Sequence, residues 1–342
     1  MAAEGNYGLT AFAPPPRLAA AVPAVSVLMA VRDGGAHLEP ALASLAAQTF
    51  KDFEVIVVDD GSRDGTENVL RAWAARDGRI RVVTQGREGL AASLNTAAAL
   101  ARAPLLARLD ADDIARPERL GVQVEALRRR PRVGLLGSAV ELIDGRGRAV
   151  GELWPSLTDT DLRNRLKTGC CLVQSSVMMR REAFDRAGGY RPGLNLAEDF
   201  DLWSRMAEVT ELAALSERLV RYRVHREGAT ARWPVRGAVA GLCVAAAQEA
   251  RRRGLPEPFC GGAPRLRQAL ALLGRSRRGF RRDLQVAMLS ARLLHLYLEL
   301  PLPAGLKAAV RTAAIRLGLR PLYRHCLGLV IGFGREEGRA AA

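Results

Sequence analysis

Four apolar runs of strand length, each followed by a segment of helical character, fill the stretch from Val25 to Arg130, and this alternation is what most limits the fold. The runs are Val25–Val31, Phe53–Val58, Ile80–Val83 and Leu105–Leu109; the helical segments are Ala36–Ala47, Thr66–Ala75, Gly89–Ala101 and Glu118–Arg130. Apolarity that is continuous rather than alternating means both faces of each strand are covered. In βαβ order this predicts a mostly parallel central sheet with helices on both faces. Thr66 is the expected N-cap of its helix, and Pro117 the expected first helical position of the segment that follows it.

The rhythm changes after Pro131. Val133–Ile143 and Arg148–Leu153 flank Asp144-Gly145-Arg146-Gly147, a hairpin signal, and short mixed elements continue to about Val224. From Pro234 the pattern is helical throughout: Val235–Arg253, Arg265–Leu273, Arg281–Leu300, Ala304–Leu317 and Leu322–Ile331. Residues 1–23, rich in Ala, Gly and Pro, are expected to form a loose leader. The expected organisation is thus a leader (1–23), an α/β domain (24–230) and a helical extension (231–342), with no solenoid repeat.

Charge follows that division. The net charge is +15, yet residues 1–230 carry 31 Lys/Arg against 30 Asp/Glu, while residues 231–342 carry 20 against 6. A balanced main domain argues against nucleic acid as its ligand, and an aromatic content of 5% is too low for a base-stacking platform. The five cysteines are odd in number and form no C-x-x-C pair, which argues against a disulfide framework or zinc site and fits a reducing cytoplasm. Pro14–Pro16 interrupts the only candidate signal segment, and no apolar run is long enough to span a bilayer.

In open α/β sheets, ligands bind outside the carboxyl ends of the strands. Two predicted strands end there in acids: Asp59-Asp60-Gly61-Ser62 after the second run, and Asp110-Ala111-Asp112-Asp113 after the fourth. Crowded carboxylates need an offsetting cation or donor, and hard oxygen ligands suit Mg²⁺ or Mn²⁺, which in turn holds a diphosphate. Asp110 and Asp112, one residue apart on an extended segment, are expected to point the same way. The competing reading is that such acids cap turns and helices; Asp64, Asp77 and Asp113, taken singly, are read so. No G-x-G-x-x-G, P-loop or G-x-S-x-G pattern is present, which removes dinucleotide, P-loop nucleotidase and serine-hydrolase chemistry.

From about Val25 to His225 the chain resembles the GT-A-fold glycosyltransferases of family 2. The resemblance rests on ordered blocks: Val25–Met29, Gln48–Glu54, Val57–Thr66, Gly89–Asn95, Ala107–Asp113, Pro117–Leu120, Gly188–Arg191, Ala197–Trp203 and Tyr222–His225. It implies inverting transfer of a single sugar from a nucleoside-diphosphate sugar, of UDP or dTDP type with GDP as the alternative, to a hydroxyl of a glycan or lipid-linked acceptor. By the same resemblance Asp59 and Asp60 read the donor's base and ribose. Asp110-Ala111-Asp112 is the family's Asp-x-Asp, with Asp112 on the metal and Asp110 on ribose or metal. Asp199 is the general base, and His225 stands where some members add a metal or diphosphate contact. Ala30, Arg32 and Asn95 fall in donor-side blocks. Glu198-Asp199 also reads as acids at a helix N-terminus, and Trp203 as core or acceptor face.

Two blocks depart from the family pattern. Ala30-Val31-Arg32-Asp33 replaces Pro-x-Tyr-Asn, so Arg32 is expected to stack on the base or pair with phosphate. Gln174-Ser175 replaces His-Pro on the acceptor side. The basic region 231–342 reads either as a peripheral anchor on an anionic membrane surface, the inner face of the cell membrane, or as helices packed on the domain. Two other functions share parts of the pattern. A nucleotide-sugar pyrophosphorylase lacks support because no Gly-rich loop follows the first strand; a silent nucleotide-sugar-binding scaffold would not need Asp110, Asp112 and Asp199 together.

Overall fold

The computed structural model describes residues 10–12 and 21–274, apart from 156–157, 168, 195, 226–227 and 229–231. The βαβ stretch contains β1 (Thr10–Phe12), β2 (Val25–Val31), α1 (Leu38–Ala46), β3 (Phe53–Asp59), α2 (Thr66–Arg76), β4 (Ile80–Thr84), α3 (Leu90–Leu100), β5 (Leu105–Arg108), β6 (Ile114–Ala115) and α4 (Arg119–Arg129). Next come β7 (Val133–Ile143), β8 (Ala149–Leu153), α5 (Asp159–Leu166), β9 (Met178–Arg180), α6 (Arg181–Arg186), α7 (Glu198–Val209) and β10 (Glu211–Arg223). The described chain closes with α8 (Pro234–Arg252), β11 (Phe259–Cys260), β12 (Ala263–Pro264) and α9 (Leu266–Leu272). The expected helices Arg281–Leu300, Ala304–Leu317 and Leu322–Ile331 lie outside the described residues, as does most of the leader.

One large sheet runs in the order β1-β4-β3-β2-β5-β9-β7-β10-β6, with β8 added to β7. β4, β3, β2 and β5 pair in parallel; β9 is antiparallel to both β5 and β7, which returns β7 and the parallel β10 to the first direction. Six strands therefore present their carboxyl ends at one edge. Every residue of β2 and β3 is buried. Val25, Val27 and Met29 face a core with α1, α2 and α4, through Leu42, Leu70 and Leu120. Leu28 and Ala30 face the other, with α3, α5 and α7, through Leu94, Leu162 and Trp203. Period-two alternation thus feeds two layers of helices, as the continuous apolar runs predict.

Three local expectations are corrected. Thr66 does not cap α2: its hydroxyl accepts the Gly34 N–H (2.8 Å), and Asp64 Oδ1 takes the Thr66 N–H (2.9 Å). Pro117 precedes the cap rather than opening α4, because its carbonyl is engaged by Thr49 N–H (2.8 Å) in a turn. Within the region expected to be a loose leader, Thr10–Phe12 pairs antiparallel with the otherwise open edge of β4. The Asp144 hairpin forms as expected: its carboxylate accepts the N–H groups of Arg146 and Arg148, both at 2.9 Å.

The region after β10 begins by packing on the domain. Ala240 and Val244 of α8 join the core that holds Trp203 and Met206 of α7. Gln248 Nε2 donates to the Leu166 carbonyl (2.8 Å) and Arg251 pairs with Glu208 (2.7 Å). Among the described residues no helix is long and apolar enough to cross a membrane.

Candidate active site

β5 ends on Arg108, Leu109 still donates to the Leu28 carbonyl (3.3 Å), and Asp110 to Asp113 then turn rather than extend: Asp113 N–H closes onto the Asp110 carbonyl (3.3 Å). The expectation of an extended segment with Asp110 and Asp112 side by side is therefore corrected. Arg108 is wholly buried; its guanidinium donates to the Leu28 carbonyl (3.3 Å), to the Leu109 carbonyl and to Asp110 Oδ1. Asp110 Oδ2 accepts the Ser175 hydroxyl (2.8 Å), whose oxygen accepts the Asp110 N–H (2.9 Å). Asp110 is thus an anchored carboxylate with both oxygens engaged.

Asp112 is held from a different direction. β6 pairs antiparallel with β10, Val220 opposite Ala115, and so brings the acidic turn beside the end of β10. There Asp112 Oδ2 lies 2.9 Å from His225 Nε2, and His37 meets the His225 ring edge-on at 5.1 Å. The Asp112 side chain is 34% exposed. Asp113, expected as a simple cap, is fully buried instead. One of its oxygens accepts the Arg223 N–H (2.7 Å), and its buried Oδ2 meets no hydrogen-bond geometry among the described residues. Burial, then the charges of Asp112 and Asp110, push its carboxyl well above the usual range.

At the neighbouring strand ends Asp59 and Asp60 are buried and organise loops. Asp59 Oδ1 accepts the Ser62 N–H (2.9 Å) and hydroxyl (2.6 Å). Asp60 Oδ1 accepts from Gln85 Nε2 (3.1 Å) and the Glu88 N–H (2.8 Å), while Oδ2 takes the Gly89 N–H (3.0 Å). Gly89, at φ +93°, turns that loop into α3. Ala30 is buried near the end of β2, and Arg32 extends beyond it, its side chain 36% exposed and 3.8 Å from Asp33. Asn95 is committed to the main chain of Tyr190, accepting its N–H (2.9 Å) and donating to its carbonyl (2.8 Å). It fastens α3 to the Gly188–Arg191 block.

Glu198 and Asp199 open α7. Ala197, just before them, sits at φ +61°, a left-handed conformation that strains any residue with a Cβ. Asp199 Oδ1 accepts the Phe200 N–H (2.6 Å), and Oδ2 lies 3.4 Å from the Cys170 thiol. Burial pushes the Asp199 carboxyl up; the Phe200 N–H and the Cys170 thiol pull it back, and the Asp110 charge adds to the rise. Burial also raises Glu198, with the Asp199 charge second. Asp201, without exposure, is clamped by Arg205 (2.7 Å) and Arg191 (3.2 Å), which fixes the first turn of the helix. Trp203, read as core or acceptor face, is fully buried core.

All the predicted site residues except Asn95 therefore stand at or beside the carboxyl edge of the sheet or the α7 N-terminus. Asp112 and His225 form a carboxylate–imidazole pair of the donor types a divalent cation takes, partly exposed and joined by one displaceable proton. Among the described residues no cluster of three or more His, Cys, Asp or Glu is disposed around a common metal position. Sequence reasoning missed Arg108, Ser175 and Cys170. An arginine ending an apolar strand is a readable signal for the first, and the Gln174-Ser175 departure marks the second without its contact; the Cys170 contact, 29 residues away in the chain, leaves none.

Comparison with known proteins adds three findings. The family model described as Glycosyl transferase family 2 matches residues 26–188. The Bacillus subtilis protein EpsE, named as a glycosyltransferase, is 31% identical over 190 residues, covering 54% of this chain and 67% of its own. Two solved structures share the fold. S. aureus TarS in complex with UDP-GlcNAc has a TM-score of 0.56 at 17% identity, over 77% of this chain and 79% of that one. The Pyrobaculum calidifontis mannosyltransferase PcManGT, with GDP-Man and Mn²⁺, has a TM-score of 0.53 at 20% identity, over 94% and 88%.

Proposed function

This chain belongs to glycosyltransferase family 2, and from that membership we propose an inverting enzyme that moves one sugar per turnover from a nucleoside-diphosphate sugar to a hydroxyl of a glycan or lipid-linked acceptor. The observation that carries the residue assignment is Asp199. It is a carboxylate oriented at the start of a pinned helix, raised by burial, and close enough to feel the charge of Asp110.

In this reading the acceptor hydroxyl gives its proton to Asp199 as its oxygen attacks the anomeric carbon. The bond to the diphosphate breaks, and its electron pair leaves with that group. A base whose affinity for a proton is raised by burial does this better than an ordinary surface carboxylate. Asp112 and His225 would hold Mn²⁺ or Mg²⁺, and Asp110, anchored by Arg108 and Ser175, would face the donor ribose or the metal. When bound, the ion offsets charge on the departing diphosphate. Asp59, Asp60, Ala30 and Arg32 frame the donor base, for which the UDP or dTDP type is proposed; Asn95 supports that side from behind, through Tyr190.

Asp199→Asn is expected to abolish transfer while donor binding persists; near-normal turnover would sink the base assignment. A donor panel scored for Mn²⁺- or Mg²⁺-dependent release of nucleoside diphosphate tests the rest, and release of pyrophosphate instead would favour a pyrophosphorylase. We propose a cytoplasmic enzyme. The packing of α8 supports the packed reading for residues 234–274, and an anionic membrane surface stays the proposed partner of the basic remainder, to be checked by co-sedimentation with anionic liposomes at low salt.

A further inference from the structure

We infer that Cys170 is a positioning residue for the general base: one thiol proton, shared between two acceptors, orients the ionised Asp199 and releases it once it has taken the acceptor's proton. The inference rests on Asp199 being that base. Cys170 Sγ lies 3.4 Å from Asp199 Oδ2 and 3.3 Å from the Leu172 carbonyl oxygen. A thiol has one proton and serves one acceptor at a time. Burial, then the Asp199 charge, push the Cys170 thiol well above its usual range, so it stays S–H rather than becoming a second anion.

The two Asp199 oxygens are held unequally. Oδ1 has a main-chain N–H at 2.6 Å that cannot leave. Oδ2 has a weak, rotatable donor. While Asp199 is ionised the carboxylate is the better acceptor, since hydrogen bonds to charged groups are the stronger ones. After the proton arrives, the S–H turns to Leu172, and the donor keeps a partner. The carboxylate is aimed before the step, and little is lost when it becomes an acid.

The titratable and charged groups around Asp199 do not duplicate this role. Glu198 on the same helix, Asp110 beyond β5, Tyr190 ahead of α7, Tyr222 on β10 and Cys171 beside Cys170 all sense its charge. Among the described residues, Cys170 is the side chain whose hydrogen bond favours the ionised form.

The test is the acidic limb of kcat/KM against pH in the full-length protein and its Cys170→Ala and Cys170→Ser variants, with Asp199→Asn alongside. Losing a donor to the charged form raises a carboxyl pKa. Cys170→Ala is therefore expected to move the limb up by about one pH unit, roughly a tenfold loss at its acidic end, with donor KM unchanged. Cys170→Ser, a stronger donor, moves it down and slows turnover at the optimum. The S–H stretching band, identified by its loss in Cys170→Ala, is expected to shift in Asp199→Asn. An unmoved limb in both cysteine variants together with an unshifted band overturns the inference. Near-normal turnover of Asp199→Asn overturns the base reading itself, and does so in that variant alone.

Discussion

Asp110 and Asp112 stand one residue apart and are treated differently by the chain around them. Their place after a buried strand was legible in the sequence, because apolar run and acids adjoin. Their different anchoring was not: it depends on Ser175 and His225, 65 and 113 residues away. Ser175 is the side chain that orients Asp110, its hydroxyl on Oδ2 and its oxygen under the Asp110 N–H. Ser175→Ala removes that contact, and a hydrogen bond to a charged group contributes about 1.5–3 kcal/mol. Donor affinity measured by calorimetry with Mn²⁺ is expected to weaken roughly tenfold, which corresponds to about 1.4 kcal/mol; unchanged affinity would mean Arg108 alone suffices. Glu198 gives a pH signature. Its carboxyl is raised by burial, so in the folded protein it holds its proton where the unfolded chain has lost it. Stability from this group is complete below the ordinary carboxylate range and falls as pH rises toward the folded value. Glu198→Gln should match the parent in melting temperature near about pH 4 and exceed it near about pH 8. A constant offset across that range would show that Glu198 ionises normally.

Elements with their own periodicity were readable, and elements made by pairing were not. β2, β3 and α3 were marked by apolar runs and helical spacing in their own residues. β6 is two residues long and exists only because β10 passes beside it, yet that pairing brings Asp112 to His225. The β11–β12 hairpin is similar. Gly262, at φ +81°, would carry a Cβ 1.8 Å from the Pro192 carbonyl oxygen, and Gly193, at φ +79°, one 2.5 Å from the Gly261 carbonyl oxygen. Two backbones cross here with no room for a side chain. Glu257, just before the hairpin, pairs with Arg191 at 2.5 Å, and Arg191 lies over the Phe259 ring at 4.5 Å. Gly262→Ala adds both the clash and the left-handed strain, so a loss of about 1–3 kcal/mol is expected in urea unfolding. A change below about 0.5 kcal/mol, the range of ordinary surface substitutions, would show that the hairpin does not dock on the Pro192–Gly193 turn.

At the scale of the molecule, a charge boundary and a packing boundary do not coincide. Composition separates residues 1–230 from the strongly basic 231–342. Packing does not break there, because α8 shares a core with α7 and α7 carries Asp199. We propose that the catalytic unit runs on through the described part of that region. Charge count could not reveal this, since the arginines at the end of α8 face outward or pair with Glu208, Glu249 and Glu257, while Ala240 and Val244 face inward. Val244 tests the point: it has no exposure and belongs to the core of Trp203, Met206 and Ala207. Val244→Asp places an unpaired carboxylate in that core, at an expected loss of about 3–5 kcal/mol. Because the first turn of α7 is held partly from the same side, through Arg191 and Glu257, activity should fall with the unfolding midpoint. Arg236→Glu, an exposed change of larger charge on the same helix, should leave the midpoint within about 0.5 kcal/mol. If Val244→Asp unfolded at the parent midpoint, α8 would be an appendage, and the catalytic unit would end where the charge balance changes.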